Sequence, residues 1–255
     1  MCIRDRDRRD IVVIGAGKIG SAIAAMLAET GDYRVTLADR DAAAAAAGAR
    51  HSNVEAASVD IRNEAALRAL LKGRYAALSA APFQLTTAIA QAAAASDVHY
   101  LDLTEDVAST RCVTELAKGS ATAFIPQCGL APGFISIVAN ALAGRFDTLD
   151  TMRLRVGALP EFPSNALGYN LTWSTDGVIN EYIEPCEAIV DGRKILVPAM
   201  EELEMLSIDG TQYEAFNTSG GLGSLCETYA GKVRSLNYRC LLYTSDAADE
   251  LLCVD

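Results

Sequence analysis

Two stretches of this chain put reactive side chains at spacings that could do chemistry. DLTED (102–106) supplies three carboxylates within five residues, and PQCGLAPGF (126–134) sets a cysteine beside small turn residues. Carboxylates so clustered can bind an ammonium group or take a proton at a shifted pKa. Asp102 and Glu105 are therefore candidate catalytic residues. The competing reading is helix capping, with Thr104 as N-cap and Glu105 and Asp106 complementing the dipole. Cys128 lacks a neighbouring base, and no helix start directly follows it to lower its pKa. A small buried thiol in a cleft wall and hinge is the expectation there.

A third stretch, IVVIGAGKIGSAIA, places Gly15, Gly17 and Gly20 after an apolar run and at the opening of a helix. The first glycine permits a tight turn, the second a close approach of backbone to a pyrophosphate, and the third close helix–strand packing. Lys18 and Ile19 fall in the same loop, whose free N–H groups suit an anion. Asp39 ends the next apolar run, where a carboxylate can accept hydrogen bonds from ribose hydroxyls, which favours NAD. Arg40 beside it could instead hold the 2′-phosphate of NADP. Asp60 and Ile61 are placed to line the adenine, and Ala81 and Pro82 to lie against the nicotinamide ribose.

The elements that must position these groups follow from periodicity. Apolar runs at 11–15, 34–39, 54–60, 75–83, 98–103 and 121–127 alternate with helical stretches, including an alanine run capped by Asp41. That alternation means a doubly wound parallel sheet of the Rossmann type, over residues 10–133. Ligands in such sheets lie beyond the carboxyl ends of the strands, where the candidates fall. After a helix at 134–146, short alternating segments separated by Asp-Gly or Pro turns predict a second domain over 134–239. It is α+β with a mostly antiparallel, incomplete sheet, and VDGRKILV (190–197) is its clearest hairpin. Glu181 and Glu184 are expected on a solvated helix face.

Bulk properties narrow the partners. The net charge of −11 over 255 residues argues against nucleic acid and anionic membranes. No apolar run of about 18 residues exists to span a bilayer, and the charged start is no secretory signal. Seven cysteines without a C-x-x-C pair suggest reduced thiols and a cytoplasmic setting, and two histidines make a zinc site an unfavoured reading. Both ends, MCIRDR and CLLYTSDAADELLCVD, resemble translated sequencing-adapter read-through. Residues 1–9 are accordingly expected to be non-native or disordered and 240–255 a non-native tail, which sets Cys2, Cys240 and Cys253 aside.

Taken together, GAGKIG, LADRD, VHYLDLTED, PQCGLAPGF, GYNLTWSTDGVINEY and YEAFNTSGGLGSL resemble the saccharopine dehydrogenase-like family, and within it look most like lysine 6-dehydrogenases. The resemblance implies NAD-dependent oxidative deamination of a lysine-like amine to a semialdehyde, with NADP possible. A saccharopine or carboxynorspermidine type, acting on a secondary amine, is the alternative, and a nucleotide-sensing protein without turnover is a different class. The resemblance further implies substrate contacts from Tyr169, Asn170, Thr218, Ser219 and Gly220, and a homodimer when the chain is full length. Some lysine dehydrogenases carry Gly-Gly-His where this chain has LTED, so the proton acceptor stays open.

Overall fold

The computed structural model describes residues 8–157, 159–162, 164, 169 and 174–243. The chain divides into two units, 1–129 and 130–255. In the first, β1 (Arg9–Ile14), β2 (Tyr33–Asp39), β3 (Val54–Ser58), β4 (Ala76–Ser79), β5 (His99–Asp102) and β6 (Phe124–Ile125) alternate with helices. These are α1 (Lys18–Glu29), α2 (Ala42–Gly48), α3 (Glu64–Leu71), α4 (Phe83–Ala95) and α5 (Val107–Ala117). All strand pairs are parallel, in the order β3-β2-β1-β4-β5-β6. The order reverses between β1 and β4, which opens a crevice at the end of β1, where the glycine loop begins.

Burial on both faces explains why the strands are nearly continuous apolar runs. Val12 and Ile14 of β1 feed one core with Leu67, Ile89 and Tyr100. Ile11 and Val13 feed the other with Val35 and Leu37. The alanine run is helical as expected: the Asp41 side chain accepts from the N–H groups of Ala43 and Ala44.

The second unit contains α6 (Phe134–Ala143), β7 (Thr151–Val156), α7 (Thr175–Ile183), β8 (Cys186–Val190), β9 (Arg193–Val197), β10 (Glu204–Ile208), β11 (Thr211–Asn217), α8 (Leu225–Tyr229) and β12 (Ser235–Tyr243). Its central strand is β12, antiparallel to β11 and β8. β7 departs from the antiparallel pattern and runs parallel to β12, in register Ser235↔Thr151 to Cys240↔Val156. The predicted hairpin forms between β8 and β9: Val190 pairs Arg193, with Asp191 and Gly192 both at positive φ. That geometry matches the right-handed strand twist. β10 and β11 repeat the device at Asp209–Gly210.

At the start, the structure takes up the chain at Arg8, and Arg9 is already paired with Tyr33. At the other end, β12 continues through Cys240–Tyr243, four residues past the boundary read from the sequence, and Cys240 stands opposite Phe216. Cys2 and Cys253 lie outside the described residues. No helix among the described residues is long and apolar enough to cross a membrane.

Candidate functional site

In the first unit, the loop after β1 is built by three close approaches. Gly15 adopts φ +109°, and a Cβ there would sit 2.6 Å from the carbonyl oxygen of Ala80. A Cβ on Gly20 would sit 1.8 Å from the Gly15 carbonyl oxygen, so α1 must enter against bare backbone. Gly17 differs: a Cβ there would meet nothing within 4 Å. Its space is open, as a cradle for a bound group requires.

Gly17 is the N-cap of α1 and makes no side-chain cap bond, and no acidic residue occupies the first turn. The N–H groups at this helix start are thus left for an anion. Lys18 and Ile19 are exposed beside it. These features fit a dinucleotide pyrophosphate.

Asp39 is tied to the glycine loop by its own side chain. Its Oδ2 accepts from Ala16 N at 2.8 Å and its Oδ1 from Asp41 N at 3.0 Å. It fixes the glycine loop to the end of β2 while remaining partly exposed. Arg40 is exposed next to it, and Asp60 is exposed with its Oδ1 accepting from Arg62 N. Ile61 packs partly against the core. Ala81 and Pro82 lead from β4 into α4, with Pro82 as the N-cap residue.

The carboxylates of 102–106 separate into different roles. Asp106, not Thr104, is the N-cap of α5 and accepts from Ser109 N at 2.7 Å. Thr104 Oγ1 accepts from Asp106 N instead. Glu105 is 8% exposed; burial lifts its carboxyl above the usual range, its own N–H opposes this, and the charges of Asp106 and Asp102 add to it. Asp102 is wholly buried, with its Oδ1 accepting from Thr104 N and Gln127 N. Burial raises its carboxyl too, against those two bonds and a contribution from Tyr100.

Cys128 is exposed, which corrects the expectation of a buried thiol. Its chain has left the sheet by then, and its Sγ reaches the backbone carbonyls of Ile125, at 3.2 Å, and Pro126, at 3.8 Å. Partial desolvation and the Asp102 charge hold the thiol above its usual range, unlike an activated nucleophile.

In the second unit, Thr218 and Ser219 are buried and Gly220 partly so. Ser219 N donates to the Glu181 carbonyl oxygen at 2.9 Å, which ties the turn to α7. Tyr169 lies near enough to Tyr182 to contribute to the raising of its hydroxyl, which is due first to burial and next to Cys240. Asn170 and Trp173 lie outside the described residues.

Two neighbours here escaped the sequence reading. Tyr238 fills the space over Gly221, where a Cβ would fall 2.2 Å from the ring. Burial lifts its hydroxyl far above the normal range, with Cys240 and Glu181 adding and Thr218 opposing. Glu181 is half-buried rather than on a solvated face, whereas Glu184 is exposed. Gly177, one helical turn before Glu181, is buried in the structure, a fact that the helix sequence does not carry.

Residues 11–123 match the model of the saccharopine dehydrogenase NADP binding domain, and residues 129–241 that of the saccharopine dehydrogenase C-terminal domain. The chain is 21% identical over 204 residues to the mitochondrial alpha-aminoadipic semialdehyde synthase of Mus musculus, covering 74% of this chain and 21% of that protein. It is 25% identical over 184 residues to the NADP(+), L-glutamate-forming saccharopine dehydrogenase of Saccharomyces cerevisiae, covering 67% and 40%. The chain thus spans less than half the length of these curated relatives.

A solved structure of apo saccharopine dehydrogenase (L-Glu forming) from Saccharomyces cerevisiae superposes with a TM-score of 0.73 at 20% identity, over 93% of this chain and 56% of that one. The fold of a myo-inositol dehydrogenase from Corynebacterium glutamicum is more distant, with a TM-score of 0.50 at 15% identity, over 93% and 69%. Two consecutive domain models covering nearly the whole chain show that it belongs to the saccharopine dehydrogenase family.

Proposed function

We propose that this chain performs NAD(P)-dependent oxidation at a carbon–nitrogen bond of an amino-acid substrate. One observation carries the reading: an open glycine cradle and the buried, proton-attracting carboxylate of Glu105 follow strands of the same parallel sheet at its carboxyl edge. Gly15, Gly17, Lys18, Ile19 and Gly20 would hold the pyrophosphate, and Asp39 and Arg40 the adenosine ribose. Asp60 and Ile61 would border the adenine, and Ala81 and Pro82 the nicotinamide ribose.

Bound there, a nicotinamide supplies the acceptor for a hydride from the carbon that bears nitrogen. Glu105 is the group we assign to take the N–H proton, because burial gives its carboxyl affinity for a proton closer to neutral pH. Water then adds across the C=N bond, which splits to a carbonyl compound and an amine, or ammonia when the substrate is a primary amine. Tyr169, Asn170, Thr218, Ser219 and Gly220 are the proposed substrate contacts.

The Asp39 carboxylate favours the unphosphorylated ribose, so we assign NAD, with NADP as the alternative that Arg40 would serve. The names of the matched relatives favour a secondary amine such as saccharopine, while the motif resemblance favours the ε-amine of lysine. Against the secondary amine, Arg155 is already bound by Glu204, which leaves Arg153 and Arg193 to bind a second carboxylate. A cytoplasmic setting is proposed from the cysteine pattern of the sequence. A homodimer is the proposed assembly.

The test is absorbance of reduced nicotinamide with purified protein, NAD or NADP, and saccharopine, lysine or a diamine. Reduction with release of an amine or of ammonia supports the proposal. No reduction with any of them, alongside intact dinucleotide binding, refutes it in favour of a nucleotide sensor.

A further inference from the structure

We infer that Asp102 is a positioning residue, a clamp that joins the ends of β5 and β6 into one rigid edge beside Glu105. The consequence for turnover rests on the proposed oxidation, but the clamp itself does not. β6 is only two residues long, and its ladder with β5 stops at Leu101↔Ile125. Beyond that point Asp102 takes over the pairing. Its backbone oxygen accepts from Cys128 N at 2.7 Å. Its Oδ1 accepts from Gln127 N at 3.0 Å and from Thr104 N at 3.1 Å, so one oxygen bridges the two loops that leave the sheet.

The bridge has something to hold. Gln127 sits at φ +63°, a conformation that costs a side-chain-bearing residue about 1 kcal/mol. A hydrogen bond to its N–H from a buried oxygen offsets strain of that size.

The second oxygen bears on the state of the clamp. Asp102 Oδ2 is buried with no hydrogen-bond partner of normal geometry, and so is the Oγ of Ser79, its register partner on β4. The Tyr100 hydroxyl interacts with both side chains, and a neutral carboxyl could in addition donate its O–H, where a carboxylate could only accept. The titratable groups coupled to it are Tyr100 on its own strand, Glu105 after it, and Cys128 beyond β6. None is a cation, so nothing here stabilises a buried carboxylate by charge. A neutral carboxyl accepts through one oxygen and donates through the other, and an asparagine does both in the same shape.

Asp102→Asn and Asp102→Ala therefore separate a clamp from a proton acceptor. In hydrogen exchange, the Ala variant should expose the amides of Thr104, Gln127 and Cys128 at least about tenfold faster, while the Asn variant stays within about threefold of wild type. In turnover, the Asn variant should stay within about tenfold of wild type with the same pH profile, and the Ala variant should lose more. If the Ala variant fails to fold, the Asn variant still decides. An Asn variant with protected amides but turnover reduced a thousandfold would overturn the inference in favour of proton exchange by Asp102. Unchanged amide protection in the Ala variant would overturn the clamp. The exchange result needs no activity, so failure of the proposed oxidation would be recognised separately.

Discussion

Gly17→Ala is the substitution that most cleanly divides fold from cofactor binding. Gly17 has φ −69° and ψ −174°, a region open to alanine, and the added methyl would meet nothing within 4 Å. Exchanging glycine for alanine at an N-cap costs up to about 1 kcal/mol. Narrowing the unfolded ensemble returns about 0.4–1 kcal/mol. The two nearly cancel, and for a chain of this size the melting temperature should move by less than about 3 °C.

Binding should respond differently. A methyl in the cradle would displace a pyrophosphate from the N–H groups at the start of α1, and each charge-assisted bond lost is worth about 1.5–3 kcal/mol. One lost bond weakens the dinucleotide roughly 10- to 200-fold. Fluorescence titration with reduced dinucleotide, beside thermal unfolding, measures both quantities. Gly20→Ala is the contrast, since its Cβ would lie 1.8 Å from the Gly15 carbonyl oxygen and should lower the melting temperature itself. A Gly17→Ala protein that binds within about twofold of wild type would refute the cradle.

Gly221→Ala would drive a methyl to 2.2 Å from the Tyr238 ring, and chemical denaturation should show a loss of about 2–3 kcal/mol, partly restored when Tyr238 is also made Leu. Glu204 should define part of the acid limit of stability. Burial pushes its carboxyl up, but the hydrogen bond and charge of Arg155 and the charge of Arg239 outweigh this and hold it low. Its contribution is therefore present above the unfolded carboxyl pKa of about 4.3 and lost as pH falls through the lower folded value. Glu204→Gln should flatten that part of an acid titration followed by circular dichroism. Cys128→Ser should keep turnover within about tenfold of wild type, and alkylation of Cys128 near neutral pH should be slow because its thiol is raised. Fast alkylation accompanied by inactivation would reverse that assignment.

The dinucleotide half was legible because its determinants are local. Gly15, Gly17 and Gly20 act within one turn of chain, and the strands of a parallel sheet buried on both faces are apolar throughout. Asp191–Gly192 likewise set its hairpin by the backbone demands of two residues. What escaped depended on contacts distant in sequence. Nothing in VHYLDL shows that the Asp102 side chain would meet the N–H of Gln127, 25 positions away. The parallel pairing of β7 with β12 links residues near 151 to residues near 235, beyond any periodicity. Tyr238 over Gly221 is a packing fact of the same kind. Glu181 belongs with these, since the burial of Gly177 one turn before it is set by packing and not by the helix sequence.

The contacts at the switch point also bear on how the sequence can vary. A Cβ on Gly15 would strike the Ala80 backbone, and one on Gly20 would approach both Gly15 and the Ala80 methyl, the latter at 3.2 Å. Positions 15, 20 and 80 are therefore one steric unit contributed by three separate elements. Related chains should change them jointly or not at all, whereas Gly17, where a Cβ would meet nothing within 4 Å, should drift wherever dinucleotide binding is not selected. A relative with a bulky residue at 17 and small ones at 15, 20 and 80 would be a protein that kept the fold after abandoning the cofactor.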